Sequence, residues 1–281
     1  MNLEPFIYFC KERESIRVNK DRGASPPWSA DEILTNYRFT NVNRESDRVT
    51  VWIRQNIREP YADNPNLWIL LCMARWINWP DTLAELIVQR ACPITNDFRP
   101  EDMTAVLESR KAKGEHTFTG AYILRSAFGM SKAKCIAEIT LGNLWRDRVA
   151  LAPRMKGTLQ EAHETLMTYP YWGPFMAFQS IADMAHCNSL LANASDRHTW
   201  AAAGPGTLRG LNRLHERPFK HPLTQAQALT ELRELNSLLQ YETRVKLDPL
   251  IDTCNLCCEV DKMLRLRNDE GHVRAKYRPG A

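Results

Sequence analysis

The 281-residue sequence contains no apolar run near the roughly 20 residues a membrane-spanning helix needs, and its mean hydropathy is −0.43. Met1 to Lys20 interleave charges with apolar positions and lack the apolar core of a secretory signal. These absences predict a soluble, unexported, cytoplasmic protein with no membrane partner. Cysteine is present eight times but scattered. Cys254-x-x-Cys257 resembles half of a metal knuckle, and no second pair at knuckle spacing follows it. An iron–sulfur cluster needs four grouped thiolates, whereas only Cys254, Cys257 and Cys258 sit together. The expectation is therefore reduced thiols and no metal. A Gly-x-x-x-x-Gly-Lys-Ser/Thr phosphate loop is also missing. Strand signals are few.

The chain is long enough for one large helical domain over 1–281, or for two intimately packed lobes. A net charge of +4 with a pI near 8.6 permits an anionic partner without demanding one. The distribution is more informative. Arg38, Arg44, Arg48, Arg54 and Arg58 crowd one early segment, and Lys262 to Arg278 is basic again. Guanidinium groups grip phosphate oxygens bidentately, although such clusters also occur as ordinary solvated helix faces.

Helical periodicity dominates the rest. Asp31 can cap a helix carrying Ile33, Leu34 and Tyr37; Val49, Trp52, Ile53 and Ile57 then recur at helical spacing until Pro60. Pro65 suits the start of a helix running from Leu67 to Ile77, and Asp81 can cap the next one. Further helices are predicted over 101–111, 131–146, 158–167, 174–185, 224–239 and 249–266. Thr117 to Leu124 is the best strand candidate, with an extended loop fitting equally well.

One stretch points to DNA. Tyr169-Pro170-Tyr171-Trp172-Gly173-Pro174-Phe175-Met176-Ala177 resembles the helix–hairpin–helix of base-excision glycosylases, with the hairpin motif near 158–187. A glycine there lets backbone N–H groups approach a phosphate, and the next helix adds its positive end. The other reading is any helix–helix connection with an aromatic plug. Tyr171 stands where that motif has its first glycine, and Phe175 where bifunctional glycosylases carry a Schiff-base lysine, so lyase chemistry is not supported. The expected fold is mainly α, helix–hairpin–helix glycosylase-like, with little or no β structure. Tyr171, Trp172 and Gly173 become candidate DNA contacts. Asp196 falls where a catalytic aspartate would follow, and it could equally cap a turn.

Longer signatures occur in fixed order: Asn36 to Arg48, Phe118 to Ile123, Gly173 to Gln179 with Asp183, Gly204 to Leu211, and Cys258 to Lys262. Together they resemble the bacteriophage alpha-glutamyl/putrescinyl thymine pyrophosphorylases, or amino acid:DNA transferases, over roughly 36–277. The resemblance implies phage DNA carrying pyrophosphorylated 5-hydroxymethyluracil as partner, acted on after a 5-hydroxymethyluracil DNA kinase. An amine such as glycine, another amino acid or a polyamine would then displace the pyrophosphate. A related helical segment accompanies the kinase itself, and the missing phosphate loop separates the two. No cofactor is implied beyond a divalent cation that could accompany pyrophosphate.

Such an enzyme must expose the base, neutralise the leaving pyrophosphate and deprotonate the amine. Arg38, Arg44 and Arg48 are the first candidates for pyrophosphate, with Arg44 and Arg48 expected on one helix face flanked by Asn41 and Asp47. Glu259 and Lys262 could be a general base and an anion contact, or an exposed ion pair. Gly206 closes a Gly204-Pro205-Gly206 turn able to present N–H groups, and the turn opens a helix carrying Arg209. Cys258 is a candidate nucleophile at uracil C6, or a buried inert thiol. His186 and His198 read as structural. The competing functions are a monofunctional glycosylase using Asp196 and a non-catalytic DNA-binding module.

Overall fold

The computed structural model describes residues 1–120, 122 and 129–270. Among them the protein is mainly α-helical and has no β-strand. In chain order the helices are α1 (Glu4–Asp21), α2 (Glu32–Asn36), α3 (Arg48–Ile53), α4 (Leu67–Ile77), α5 (Pro80–Val88), α6 (Pro100–Ala112) and α7 (Lys132–Lys134). They continue as α8 (Gly142–Arg146), α9 (Arg148–Leu151), α10 (Leu159–Met167), α11 (Pro174–Met184), α12 (Pro205–Leu214), α13 (Gln225–Thr243) and α14 (Leu250–Arg267).

Polar side chains set several boundaries. Asp31 accepts from the N–H groups of Ile33 and Leu34 at the start of α2. Ser131 and Thr158 cap α7 and α10, and Thr224 forms a reciprocal capping box with Gln227 at α13. At α5 the expected Asp81 cap is replaced by Trp79 before Pro80, which leaves Asp81 in the first turn. The predicted helix through 131–146 is three pieces, because Cys135–Leu141 winds as a π-helix between α7 and α8. Arg54–Arg58 makes a similar π turn after α3. Thr117 to Gly120 form no strand, and most of 121–124 lies outside the described residues. Residues 271–278 of the second basic stretch lie outside them too.

Two compact units divide the chain: Met1–Asp47 with His198–Ala281, and Arg48–Arg197. The first is organised on α14, against which α1, α2, α12 and α13 pack. The second is organised on α4, buried at every position from Leu67 to Ile77. Each large apolar side chain buried this way contributes about 1.5–3 kcal/mol. α11 packs on α4, and the guanidinium of Arg75 clamps the Asp183 carboxylate across them, Nε to Oδ2 at 2.5 Å and Nη2 to Oδ1 at 2.7 Å. The signature aspartate is thus half of a buried ion pair.

Candidate functional site

In the first unit, residues 37–47 form a loop held down from both sides. Arg13 of α1 donates through Nε to the Thr40 carbonyl (3.2 Å) and through Nη2 to Asn41 Oδ1 (2.9 Å). Asp47 accepts from the Asn41 N–H at 2.8 Å, and the Asn41 amide donates to the Ser46 carbonyl at 2.8 Å. From α14, Asn255 donates to Thr40 Oγ1 at 2.8 Å. Asn41 and Asp47 therefore shape the loop.

That loop breaks the expected Arg44–Arg48 helix face. A 3₁₀ turn over Arg44–Ser46, capped by Asn43, ends at Asp47 in extended backbone (φ −72°, ψ 135°), and α3 begins only at Arg48. Arg44 is buried, and its N–H donates to Asp252 Oδ1 at 3.3 Å. Burial pushes the Asp252 carboxyl up to about 7, against the opposing pull of the Arg44 N–H and guanidinium. Arg48 is exposed and opens the second unit. Arg38 is exposed in the first, and its carbonyl accepts from Lys262 Nζ.

The residues that do converge lie on α12 and α14. Glu259 and Lys262 face the loop together: Glu259 Oε2 accepts from Lys262 Nζ at 3.3 Å and from the Thr40 N–H at 3.4 Å. The Lys262 ammonium lies 4.4 Å from the Phe39 ring centroid. Cys258, one helical turn before Lys262, feels Arg209 and Lys262 as positive neighbours, yet burial dominates and lifts its thiol to about 11. That upward shift disfavours the thiolate that a nucleophile at C6 requires.

Gly206, a candidate for phosphate contact, has a different neighbour. A Cβ there would stand 2.3 Å from Cys258 Sγ, and one at Gly210 would stand 2.3 Å from the Cys257 carbonyl oxygen. The two glycines let α12 lie directly on α14. This close approach brings Arg209 and Arg213 to Asp261, whose buried carboxylate accepts from both Nε atoms, at 2.7 and 2.9 Å. Asp261 stood within the Cys258–Lys262 signature but was not singled out as a site residue. Only the packing of α12 on α14 shows that it orients two arginines.

In the second unit α10 and α11 form the helix–turn–helix expected near 158–187. Tyr171 sits at φ +67°, the left-handed region a glycine would favour, and is 42% exposed. Phe175 is 53% exposed, and its ring meets Tyr122 edge to face at 5.2 Å. Trp172, a candidate DNA contact or aromatic plug, is buried. Its indole donates to the Thr140 carbonyl at 3.1 Å and packs edge-on against Trp76. Space around the Cα of Gly173 is open. Asp196 accepts from the N–H groups of Leu159 and Gln160 at 2.8 and 2.9 Å, so it caps α10 from a distant part of the chain.

Among the described residues no cluster of three or more His, Cys, Asp or Glu side chains could hold a metal, and no helix is long and apolar enough to cross a membrane. The fold and site define a mainly α-helical protein whose first unit displays cations ordered by buried carboxylates. The chain belongs to the family described as the helical domain of 5-hmdU DNA kinase, whose model matches residues 2–272. It is similar to the 5-hmdU DNA kinase of Bacillus phage SP10, with 25% identity over 234 residues covering 75% of this chain. The matched region spans 36% of that relative, about a third of its length. No solved structure matches.

Proposed function

We propose that the chain acts in phage thymine hypermodification as a transferase that displaces pyrophosphate from 5-pyrophosphoryloxymethyl-deoxyuridine in DNA with an amine, glycine being favoured. The family match across nearly the whole chain supports the place in thymine hypermodification, and the ordered signatures that resemble the amino acid:DNA transferases favour the transferase step. In the proposed reaction the amine nitrogen forms a bond to the exocyclic carbon on uracil C5. The bond from that carbon to the pyrophosphate oxygen breaks, and the ammonium proton passes to a base.

Glu259, which accepts a hydrogen bond from Lys262 at 3.3 Å, is the proposed base. Arg209, held at Nε by Asp261, leaves its terminal amino groups to meet charge developing on pyrophosphate. Arg38, exposed on the loop fastened by Lys262, is a second anion contact. We assign Asp196 to helix capping, Cys258 and Gly206 to the α12–α14 interface and Trp172 to the core. Tyr171 and Gly173 remain the proposed DNA contacts of the hairpin.

The test is incubation with pyrophosphorylated hydroxymethyluracil DNA and glycine, followed by digestion to nucleosides and mass spectrometry. A 5-aminomethyl-type adduct with released pyrophosphate is expected, and Arg209→Ala should lower turnover about 100-fold or more. Unchanged nucleosides with competent substrate and several amines would sink the proposal. The description of the family as a kinase's helical domain favours one other reading, a DNA-binding module that presents hydroxymethyluracil to a kinase. That module would bind the DNA and leave it unchanged.

A further inference from the structure

The first unit contains a cavity of about 490 Å³ between α12, the loop that follows it and Arg265 of α14. Its volume falls within the range of small-molecule sites, about 300–1,000 Å³. The wall is divided by chemistry. Leu208, Phe219 and Leu223 supply apolar surface, while Arg209, Lys220 and Arg265 supply three cations, and no carboxylate is among the lining residues.

The cations are oriented and incompletely neutralised. Arg209 gives its Nε to the buried Asp261, which it shares with Arg213. Arg265 gives its Nε to the Glu270 carbonyl at 3.2 Å, an acceptor without net charge. Both forks are thereby fixed through Nε, with their terminal amino groups left to a ligand. Lys220 has no ion-pair partner among the described residues. Phe219 is 41% exposed, and the Arg209 and Arg213 guanidinium carbons lie 5.9 and 5.7 Å from its ring centroid.

The cavity is also preformed. Asn212 of α12, 1% exposed, donates through its amide to the carbonyls of Phe219 (3.4 Å) and His221 (2.9 Å), pinning the loop that carries the ring. Its Oδ1 is buried with no hydrogen-bond donor. A pocket lined by three cations and a part-exposed aromatic ring suits a ligand that joins a phosphate to a flat heterocycle.

We propose that this pocket binds one nucleotide, its base against Phe219 and its phosphate on Arg209, Lys220 and Arg265. The pocket shares Arg209 with the proposed pyrophosphate contact and rests on that reading at this residue alone; binding needs no reaction, so a failed turnover assay leaves it standing. The nucleotide can be free or part of a DNA strand. The test is calorimetric titration of the full chain with dTMP, with thymidine and with a short single-stranded oligothymidylate. Phe219→Ala, Lys220→Ala and Arg265→Ala are compared with the unaltered protein, and circular dichroism checks their folding.

Binding of dTMP at least tenfold tighter than thymidine is expected, and each variant should weaken it about tenfold. If the oligonucleotide alone binds and responds to the same variants, the nucleotide comes from DNA. If dTMP binds and the oligonucleotide does not compete with it, the ligand is a free nucleotide. Equal binding of thymidine and dTMP, binding indifferent to all three folded variants, or no binding of dTMP and oligonucleotide at millimolar concentration overturns the proposal.

Discussion

The two units solve the problem of buried charge in opposite ways. In the second, Arg75 and Asp183 neutralise one another through two short hydrogen bonds inside an otherwise apolar pairing of α4 and α11. Thr50 and Asn78 take further guanidinium hydrogens. In the first, Asp261 is buried but its two arginines reach outward, to side-chain exposures of 29% and 16%. A closed pair serves the fold. A buried carboxylate with partly exposed arginines holds cations still in front of solvent, which is what an anion site needs.

Breaking the closed pair should have the largest effect. Asp183→Ala leaves the Arg75 charge buried without its partner, and unfolding free energy from urea titration should drop by about 3–5 kcal/mol. A drop below about 1 kcal/mol would mean that water reaches Arg75, and the contrast between the units would collapse. Next is Gly210→Ala, which removes the close approach on which the open arrangement depends. The new Cβ would collide with the Cys257 carbonyl, so α12 must move off α14. A net loss of about 1–3 kcal/mol is expected despite alanine's better helix propensity, together with weaker anion binding. Retained anion binding would show that Arg209 needs no such alignment.

The most gradual effect is a pH dependence. Because burial lifts the Asp252 carboxyl from 3.8 to about 7, the native protein keeps a proton there that the unfolded chain has already released. This group therefore costs nothing below about pH 4, lowers stability as pH rises from there, and stops changing it above about 7. The slope is at most about 1.4 kcal/mol per pH step. Asp252→Asn should flatten it in urea titrations between pH 5 and pH 8. Identical slopes in the two proteins would place the Asp252 carboxyl in the ordinary range.

Local features of the fold were legible because local forces make them. Asp31, Ser131, Thr158 and Thr224 announce helix starts, since a side-chain oxygen two or three residues from a free N–H needs no tertiary help. α1 was missed because its charged and apolar residues give no strong stripe, although Phe6, Phe9, Cys10 and Ile16 bury well. The candidate site was legible only in part. Glu259 and Lys262 were paired correctly by their spacing on one helix, whereas Arg44 and Arg48 were separated by the turn at Asp47. Trp172 shows the same limit: an aromatic residue beside a glycine fits both a wedge and a core plug, and only its neighbours Thr140 and Trp76 decide.

By itself, then, the sequence determined the helical class, most helix starts and a relation to phage thymine-hypermodification proteins, because capping, periodicity and ordered motifs are written along the chain. The tertiary structure decided which charges meet. Asp261 orients Arg209 and Arg213 from 52 and 48 residues away, and Asp196 caps a helix that begins 37 residues earlier. The Asp261 contacts depend on how closely α12 can approach α14, and that was set by a missing side chain at Gly206 and Gly210 rather than by any charge pattern in the sequence.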